Sequence, residues 1–296
     1  MAVLHTLRAG MLTRAEEDSG TNSSIVLIIN ETGGRPDLLH HTFLDTAQRD
    51  QEPGQANVYE ITKDEIQAPL GESPLFSADQ LNESSVRVGI RGDDAWRPQT
   101  VFVWGEQTDG LIMPLALTMD LDRPIVGHVL NGIVLSTDPS EGVTSFALGR
   151  VRLGPASQRL QRLILLLVTA DQEDAGTDDK IELQIVTRDG RVVVNHVFGD
   201  TAQDDLERAQ ANLYIVPLDN KLDTPFSRDE LNDDAIRLSI KGRDAWLPER
   251  LFLFGTEDIG QPDSVVPLVH LPVWSFGQLS GDSDEGDDSV KLPLVS

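Results

Sequence analysis

The sequence predicts an all-β chain of two tandem antiparallel β-sandwich domains. Three observations predict it: an internal repeat that fills the chain, short segments in which apolar and polar residues alternate, and turn-forming residues between those segments. The repeat comes first, because a missed repeat misassigns the whole fold. Asp18-Ser-Gly-Thr-Asn-Ser-Ser-Ile-Val-Leu-Ile-Ile returns 156 positions later as Asp174-Ala-Gly-Thr-Asp-Asp-Lys-Ile-Glu-Leu-Gln-Ile. HTFLDTAQRDQEPGQANVYEI from His41 matches HVFGDTAQDDLERAQANLYIV from His196 at an offset of 155, and FSADQLNESSVRVGIRGDDAWRPQTVFVWG from Phe76 matches FSRDELNDDAIRLSIKGRDAWLPERLFLFG from Phe226 at an offset of 150. The first copy therefore holds a longer loop around Lys63 to Pro74. The copy ends agree as well: Ser136-Thr-Asp-Pro-Ser-Glu-Gly echoes Ser280-Gly-Asp-Ser-Asp-Glu-Gly. A period near 150 is a duplicated domain, not a solenoid repeat. Gly154-Pro155 breaks local structure, which sets the expected domains at 1–153 and 154–296.

Each element follows from its pattern. Ile181, Leu183 and Ile185 alternate with Glu182 and Gln184, a strand with one face buried and one wet. Its counterpart Ile25-Val-Leu-Ile-Ile is apolar on both faces, which predicts cover on its outer side too. Val86-Arg-Val-Gly-Ile and Ile236-Arg-Leu-Ser-Ile alternate again. Val101-Phe-Val-Trp-Gly and Leu251-Phe-Leu-Phe-Gly follow them after a proline-bearing turn. Helical pieces are short: Ser157 to Arg162, and Ser77 to Leu81 with its twin Ser227 to Leu231, the last two read as turns between strands.

Composition narrows the function. With 24 Lys and Arg against 49 Asp and Glu, the net charge is −25, which opposes nucleic acid, whose phosphates need clustered cations. The charge also opposes direct contact with an anionic bilayer. It has two readings, solubility and carboxylates arranged for divalent cations. Cysteine is absent, which excludes disulfides, thiolate metal sites and a cysteine nucleophile. MAVLHTLRAGMLTRAEED contains no apolar core of a signal peptide, and no segment is apolar enough to span a bilayer as a helix. The expectation is a soluble protein, either cytoplasmic or exported without a Sec-type signal. No H-E-x-x-H, G-x-S-x-G or G-x-x-x-x-G-K-[ST] occurs, so a non-catalytic protein is expected.

From Ala175, AGTDDKIELQIVTRDGR, continued by Asp244-Ala-Trp-Leu-Pro-Glu-Arg-Leu-Phe-Leu-Phe-Gly, resembles the PLAT/LH2 family, with the membrane-binding domain of clostridial phospholipase C-type toxins as the nearer pattern. The resemblance spans most of the second copy and reaches the first through the repeat. It implies a C2-like sandwich of eight strands per copy and Ca²⁺ held by loops at one end. The ligand positions it implies are Asp174, Gly176, Asp244 and Ala245, and in the first copy Asp18, Gly20, Asp94 and Ala95. Mixed carboxylate and carbonyl oxygens suit the loose coordination of Ca²⁺. A second metal position would draw on Thr177 with Asp200, Asp204 or Asp205. Asn22 stands where the second copy has Asp178, so the first copy carries less charge there.

Other features carry two readings. Asp residues in turns also bond their own backbone. Trp96 and Trp246, which follow the ligand turn, either close the core or stand at the metal rim and contact a partner or membrane interface. Asp282 to Asp288 lacks the spacing of an EF-hand and reads as a solvated loop. His41 and His196 read as packing or hydrogen-bonding positions rather than ligands.

The expected function is thus a Ca²⁺-binding module contacting a protein partner or lipid surface. The alternative is a structural subunit of a larger assembly, such as a virion-like, injection-type or surface-layer particle, with Ca²⁺ stiffening its loops.

Overall fold

The computed structural model describes residues 3–30, 38–43, 51–67, 76–119, 132–198, 206–257 and 262–295. The chain is all-β and divides into two compact units, Met1–Arg152 and Leu153–Ser296.

Unit 1 contains β1 (Leu4–Thr13), β2 (Ser24–Ile29), β3 (Leu39–Phe43), β4 (Ala56–Ile61), β5 (Val86–Arg91), β6 (Pro98–Gln107), β7 (Ile112–Thr118) and β8 (Ser145–Ala147). Hydrogen-bonded neighbours run β7-β6-β1-β4 in one sheet and β3-β2-β5-β8 in another, all pairs antiparallel. A two-residue strand, β9 (Arg152–Leu153), lies at the division. Unit 2 contains β10 (Arg162–Thr169), β11 (Ile181–Val186), β12 (Val192–Phe198), β13 (Ala211–Pro217), β14 (Ile236–Ile240), β15 (Pro248–Thr256), β16 (Ser264–Leu271) and β17 (Ser289–Leu292). Its neighbours run β16-β15-β10-β13 and β12-β11-β14-β17, the same order in corresponding strands.

Irregularities recur with the order. A register shift falls between Leu12 and Thr13 on β1 and between Val168 and Thr169 on β10, and another between Val103 and Trp104 and between Leu253 and Phe254. Left-handed backbone recurs at Asp18 and Asp174, at Gln51 and Leu206, and at Gly54 and Ala209. Non-glycine residues seldom adopt positive φ, so matched exceptions mark the same loop path in both units.

Each unit has its own core drawn from both of its sheets. In unit 1, Leu7, Ala9 and Met11 of β1 and Val101 and Val103 of β6 meet Ile25, Leu27 and Ile29 of β2 and Val88 of β5. In unit 2, Leu163, Leu165 and Leu167 meet Ile181, Leu183, Ile185 and Leu238. The alternation of β11 is realised, with all three apolar residues fully buried and Glu182 and Gln184 half-buried. On β2 the outward Val26 is buried and the outward Ile28 only partly so. The β1/β6 and β10/β15 pairs are buried on both faces: Phe102 and Trp104, stacked at 5.0 Å between centroids, and Phe252 and Phe254 point away from the cores yet are fully buried.

The two predicted turns are 3₁₀ turns, Ala78–Gln80 and Arg228–Glu230. Their entry N–H groups are satisfied by side chains three residues on, Ser77 to Gln80 Oε1 at 2.7 Å and Ser227 to Glu230 Oε1 at 2.9 Å. Ser157 to Arg162 forms no helix; Arg162 opens β10. Helix α1 (Lys63–Gln67), inside the longer loop of the first copy, was not anticipated. Thr62 begins it, its N–H and hydroxyl both donating to Glu65 Oε2, at 2.8 and 2.9 Å.

Candidate functional site

The segment before β11 and the turn before β15 meet at one end of unit 2. Three ties hold them: Leu247 donates its N–H to the Ala175 carbonyl at 3.0 Å, Asp178 its N–H to Asp244 Oδ2 at 3.1 Å, and Thr177 its hydroxyl to the Asp244 carbonyl at 3.3 Å. Unit 1 repeats each tie, with Arg97 N to Ser19 O at 3.0 Å, Asn22 N to Asp94 Oδ2 at 2.9 Å and Thr21 Oγ1 to Asp94 O at 3.4 Å.

The glycines of these loops are there for space. A Cβ on Gly20 would stand 2.8 Å from the Gln51 carbonyl, and one on Gly176 3.1 Å from the Arg208 nitrogen, because a third loop crosses close behind. A Cβ on Gly242 would fall 1.9 Å from the Asp179 carboxylate, which accepts the Asp244 N–H at 2.7 Å. In unit 1, Ser23 Oγ fills that place beside Gly92 and accepts the Asp94 N–H at 3.1 Å.

In unit 2 these loops line an open cleft of about 940 Å³, which brings together all four residues expected there: Asp174, Gly176, Asp244 and Ala245. Glu173, Asp178, Glu207, Asp284 and Glu285 add five carboxylates, while Arg208 is the one basic residue on its wall and is paired with Asp171 at 2.7 Å. Asp284 and Glu285 come from the acidic loop that the sequence assigns to solvent. They are exposed, but the bridge between Trp246 and Leu279 anchors their loop beside the ligand turn. Unit 1 has Asn22, Ser23 and Ser140 where unit 2 has Asp178, Asp179 and Asp284, so its corresponding loops carry fewer charges. Its Asp138 carboxyl is held below the usual range by the Ser140 hydroxyl and N–H.

The donors are of the kind a hard cation takes. Among the described residues the Gly176 and Ala245 carbonyls, like those of Gly20 and Ala95, accept no hydrogen bond, and Asp174 and Asp244 are exposed. No three Asp, Glu or His side chains among the described residues stand close enough to hold a metal by themselves, so a cation here would need those carbonyls beside the carboxylates. The Thr177 hydroxyl is already committed, accepting the Asp179 N–H at 3.1 Å and donating to Asp244. Asp200, Asp204 and Asp205 lie outside the described residues.

Trp96 and Trp246 correct the contact reading. Both are fully buried; Trp96 Nε1 donates to Thr13 Oγ1 at 2.9 Å and Trp246 Nε1 to Thr169 Oγ1 at 3.0 Å. Backbone bridges to Leu135 and Leu279 place them under the loops, where they close the core. The aromatic residues that do reach the surface beside the cleft were not singled out. Val273 is 73% exposed, and Trp274 and Phe276, edge to face at 5.0 Å, are partly exposed in the loop that leads to Gln278 on the cleft wall. The signal for them was present: from Ser264 to Gly281 there is no Asp, Glu, Lys or Arg.

His41 and His196 pack on Phe43 and Phe198, at 4.9 and 4.7 Å between ring centroids. His196 Nδ1 also lies 3.1 Å from Asp223 Oδ2, a partner 27 residues away that spacing rules did not reveal. No helix among the described residues is long and apolar enough to cross a membrane.

No family model matches the chain, and no curated protein matches it. Among solved structures, the alpha toxin from Clostridium absonum is similar to it, with 22% sequence identity and a TM-score of 0.34 over 47% of this chain and 32% of the toxin chain. The chain thus matches about a third of that toxin's length.

Proposed function

We propose that the chain is an internal duplication of an eight-stranded PLAT/LH2-like sandwich module, that it is non-catalytic, and that its loop ends bind Ca²⁺ to support contact with a protein or lipid surface. The observation that carries the reading is the unit 2 cleft, where two exposed carboxylates, Asp174 and Asp244, line the same wall as the uncommitted carbonyls of Gly176 and Ala245. Asp18, Asp94, Gly20 and Ala95 repeat the donor types in unit 1 with fewer carboxylates around them.

Calcium would act by neutralising the cleft. Seven carboxylates on its wall repel an anionic surface, and a bound divalent cation both cancels part of that charge and offers open coordination to an anionic group. Val273, Trp274 and Phe276 would then make the contact, in an uncharged loop of a chain with net charge −25. An indole whose N–H is already bonded, here to the Gly277 carbonyl at 2.6 Å, buries its ring at little polar cost.

Calorimetry with Ca²⁺ tests the site. Wild type should bind, and Asp174→Asn with Asp244→Asn should remove the tighter event; undiminished binding in the double variant would sink the assignment. Flotation with vesicles of phosphatidylcholine and phosphatidylserine, with Ca²⁺ or chelator, on wild type and Trp274→Ser, separates a lipid surface from a protein partner. Light scattering separates both from an assembly subunit, which would not be monomeric.

A further inference from the structure

Strand β12 lies at one margin of the sheet β12-β11-β14-β17. One side of it pairs with β11, from Ile181 opposite Phe198 to Val186 opposite Val192. The other side of such a strand presents alternate N–H and C=O groups, a template for any further strand. Here the chain covers that side itself. Thr224 donates its N–H to the Val193 carbonyl at 2.7 Å, and Asn195 donates its N–H to Asp223 Oδ1 at 3.0 Å. Asp223 Oδ2 receives His196 Nδ1 and Asn220 Nδ2, both at 3.1 Å, and Asp223 is only 4% exposed. A buried carboxylate thus takes an edge N–H that a neighbouring strand would otherwise satisfy with a carbonyl. The strap is anchored in the core at its two ends by Leu218 and Phe226, but Leu222 between them is 62% exposed.

We propose that this strap is a plug that keeps β12 from pairing, antiparallel about a two-fold axis, with β12 of a second copy of this chain. Charge selects the occupant: Val192-Val-Val-Asn-His-Val-Phe has no carboxylate, so two chains of net charge −25 can meet there without the repulsion that opposes them elsewhere. Apolar exposure agrees, because Val192 and Val197 are 48% and 46% exposed on this one strand, and an antiparallel partner would cover them. Antiparallel pairing of a strand with itself is self-complementary, as an isologous dimer requires. The matching strand of unit 1, β3, is not releasable in this way. Helix α1 packs against it and seats Ile66 in the core, so displacing that helix would open the unit.

This inference does not depend on Ca²⁺ and is tested without it. Sedimentation equilibrium over a wide concentration range should find wild type monomeric. Asp223→Ala, folded by circular dichroism, should dimerise at least about tenfold more tightly. Adding Val197→Lys, a charge on the exposed face of the edge strand, should return it to monomer. His196→Ala with Asn220→Ala strips two of the three donors from the Asp223 carboxylate and should give the same dimer if Asp223→Ala does not fold. A folded strap variant that stays monomeric at every concentration overturns the proposal, as does a dimer indifferent to Val197→Lys or one that wild type forms equally well.

Discussion

Asp244 ties down the loop that carries Asp178: its Oδ2 accepts the Asp178 backbone N–H at 3.1 Å, as Asp94 accepts that of Asn22 at 2.9 Å in the other unit. One oxygen of each carboxylate therefore has a structural duty that is independent of any metal. Without Ca²⁺, Asp244→Ala should cost about 0.5–1 kcal/mol, because water can take the place of the lost acceptor at the exposed Asp178 N–H, and Asp244→Asn less, since it keeps an acceptor. With Ca²⁺, wild type should melt at a higher temperature and neither variant should match that rise. Thermal melts in Ca²⁺ and in chelator measure both effects. A full Ca²⁺-dependent rise retained in Asp244→Asn would remove Asp244 from the ligand set.

The two loop glycines should not respond alike. A methyl group on Gly20 meets a backbone carbonyl at 2.8 Å and Pro53 Cδ at 2.9 Å, neither of which can swing away. On Gly176 the contacts relax to 3.1 Å and 3.3 Å, within reach of a small loop shift. Gly20→Ala should therefore destabilise by about 1–3 kcal/mol, in the range of overpacking, and Gly176→Ala by less. Urea unfolding of the two variants checks the order, and equal losses would contradict it.

Much of the fold was legible because its signals are local. The alternation of Ile181, Leu183 and Ile185 with Glu182 and Gln184 reports burial directly, since side chains of a strand point to opposite faces in turn. The repeat located both loop ends, and the structure brings Asp174 and Asp244 to one cleft although 70 positions separate them in sequence. What stayed hidden depends on tertiary placement. Whether Trp246 points out or in is decided by Thr169, 77 residues away, and by a bridge to Leu279. That same bridge carries Asp284 and Glu285 to the cleft, which no spacing rule anticipates. Helix α1 is a different case: Thr62 followed three residues on by Glu65 is a helix-start signal that its place inside a long loop obscured.

Trp96 and Trp246 yield a prediction about buried donors. Each indole N–H has a threonine hydroxyl as its partner in a fully buried setting, so replacing the hydroxyl by a methyl leaves the donor unsatisfied. Thr169→Val should cost about 1–3 kcal/mol despite conserving volume. Trp246→Phe removes the donor as well as part of the ring, so the hydroxyl loss should weigh less in its background. A double-mutant cycle on unfolding free energies measures the difference, and strict additivity would show that the bond contributes nothing.

Acid should weaken unit 1 in two steps with different owners. Burial pushes the His41 imidazole below its ordinary value of 6.5, and the nearby Glu65 carboxylate offsets that only in part. For a base with a depressed folded pKa, the unfolded chain takes up the proton first. Stability is then undiminished above the unfolded value and falls as pH drops through about 6.5 toward the lower folded value. Glu65 acts later. The Thr62 backbone N–H, and after it the Thr62 hydroxyl, hold its carboxyl below 4.5, so what it contributes is present above that value and is lost only as pH falls through its folded pKa. Between about pH 7.5 and 5.5 the His41 effect stands alone of the two. Melting temperatures of wild type and His41→Gln across that window should converge as pH falls, because the variant has no proton to take up there. Parallel curves would mean that His41 titrates alike in the folded and unfolded chain, and that its place beside Phe43 costs its charged form nothing.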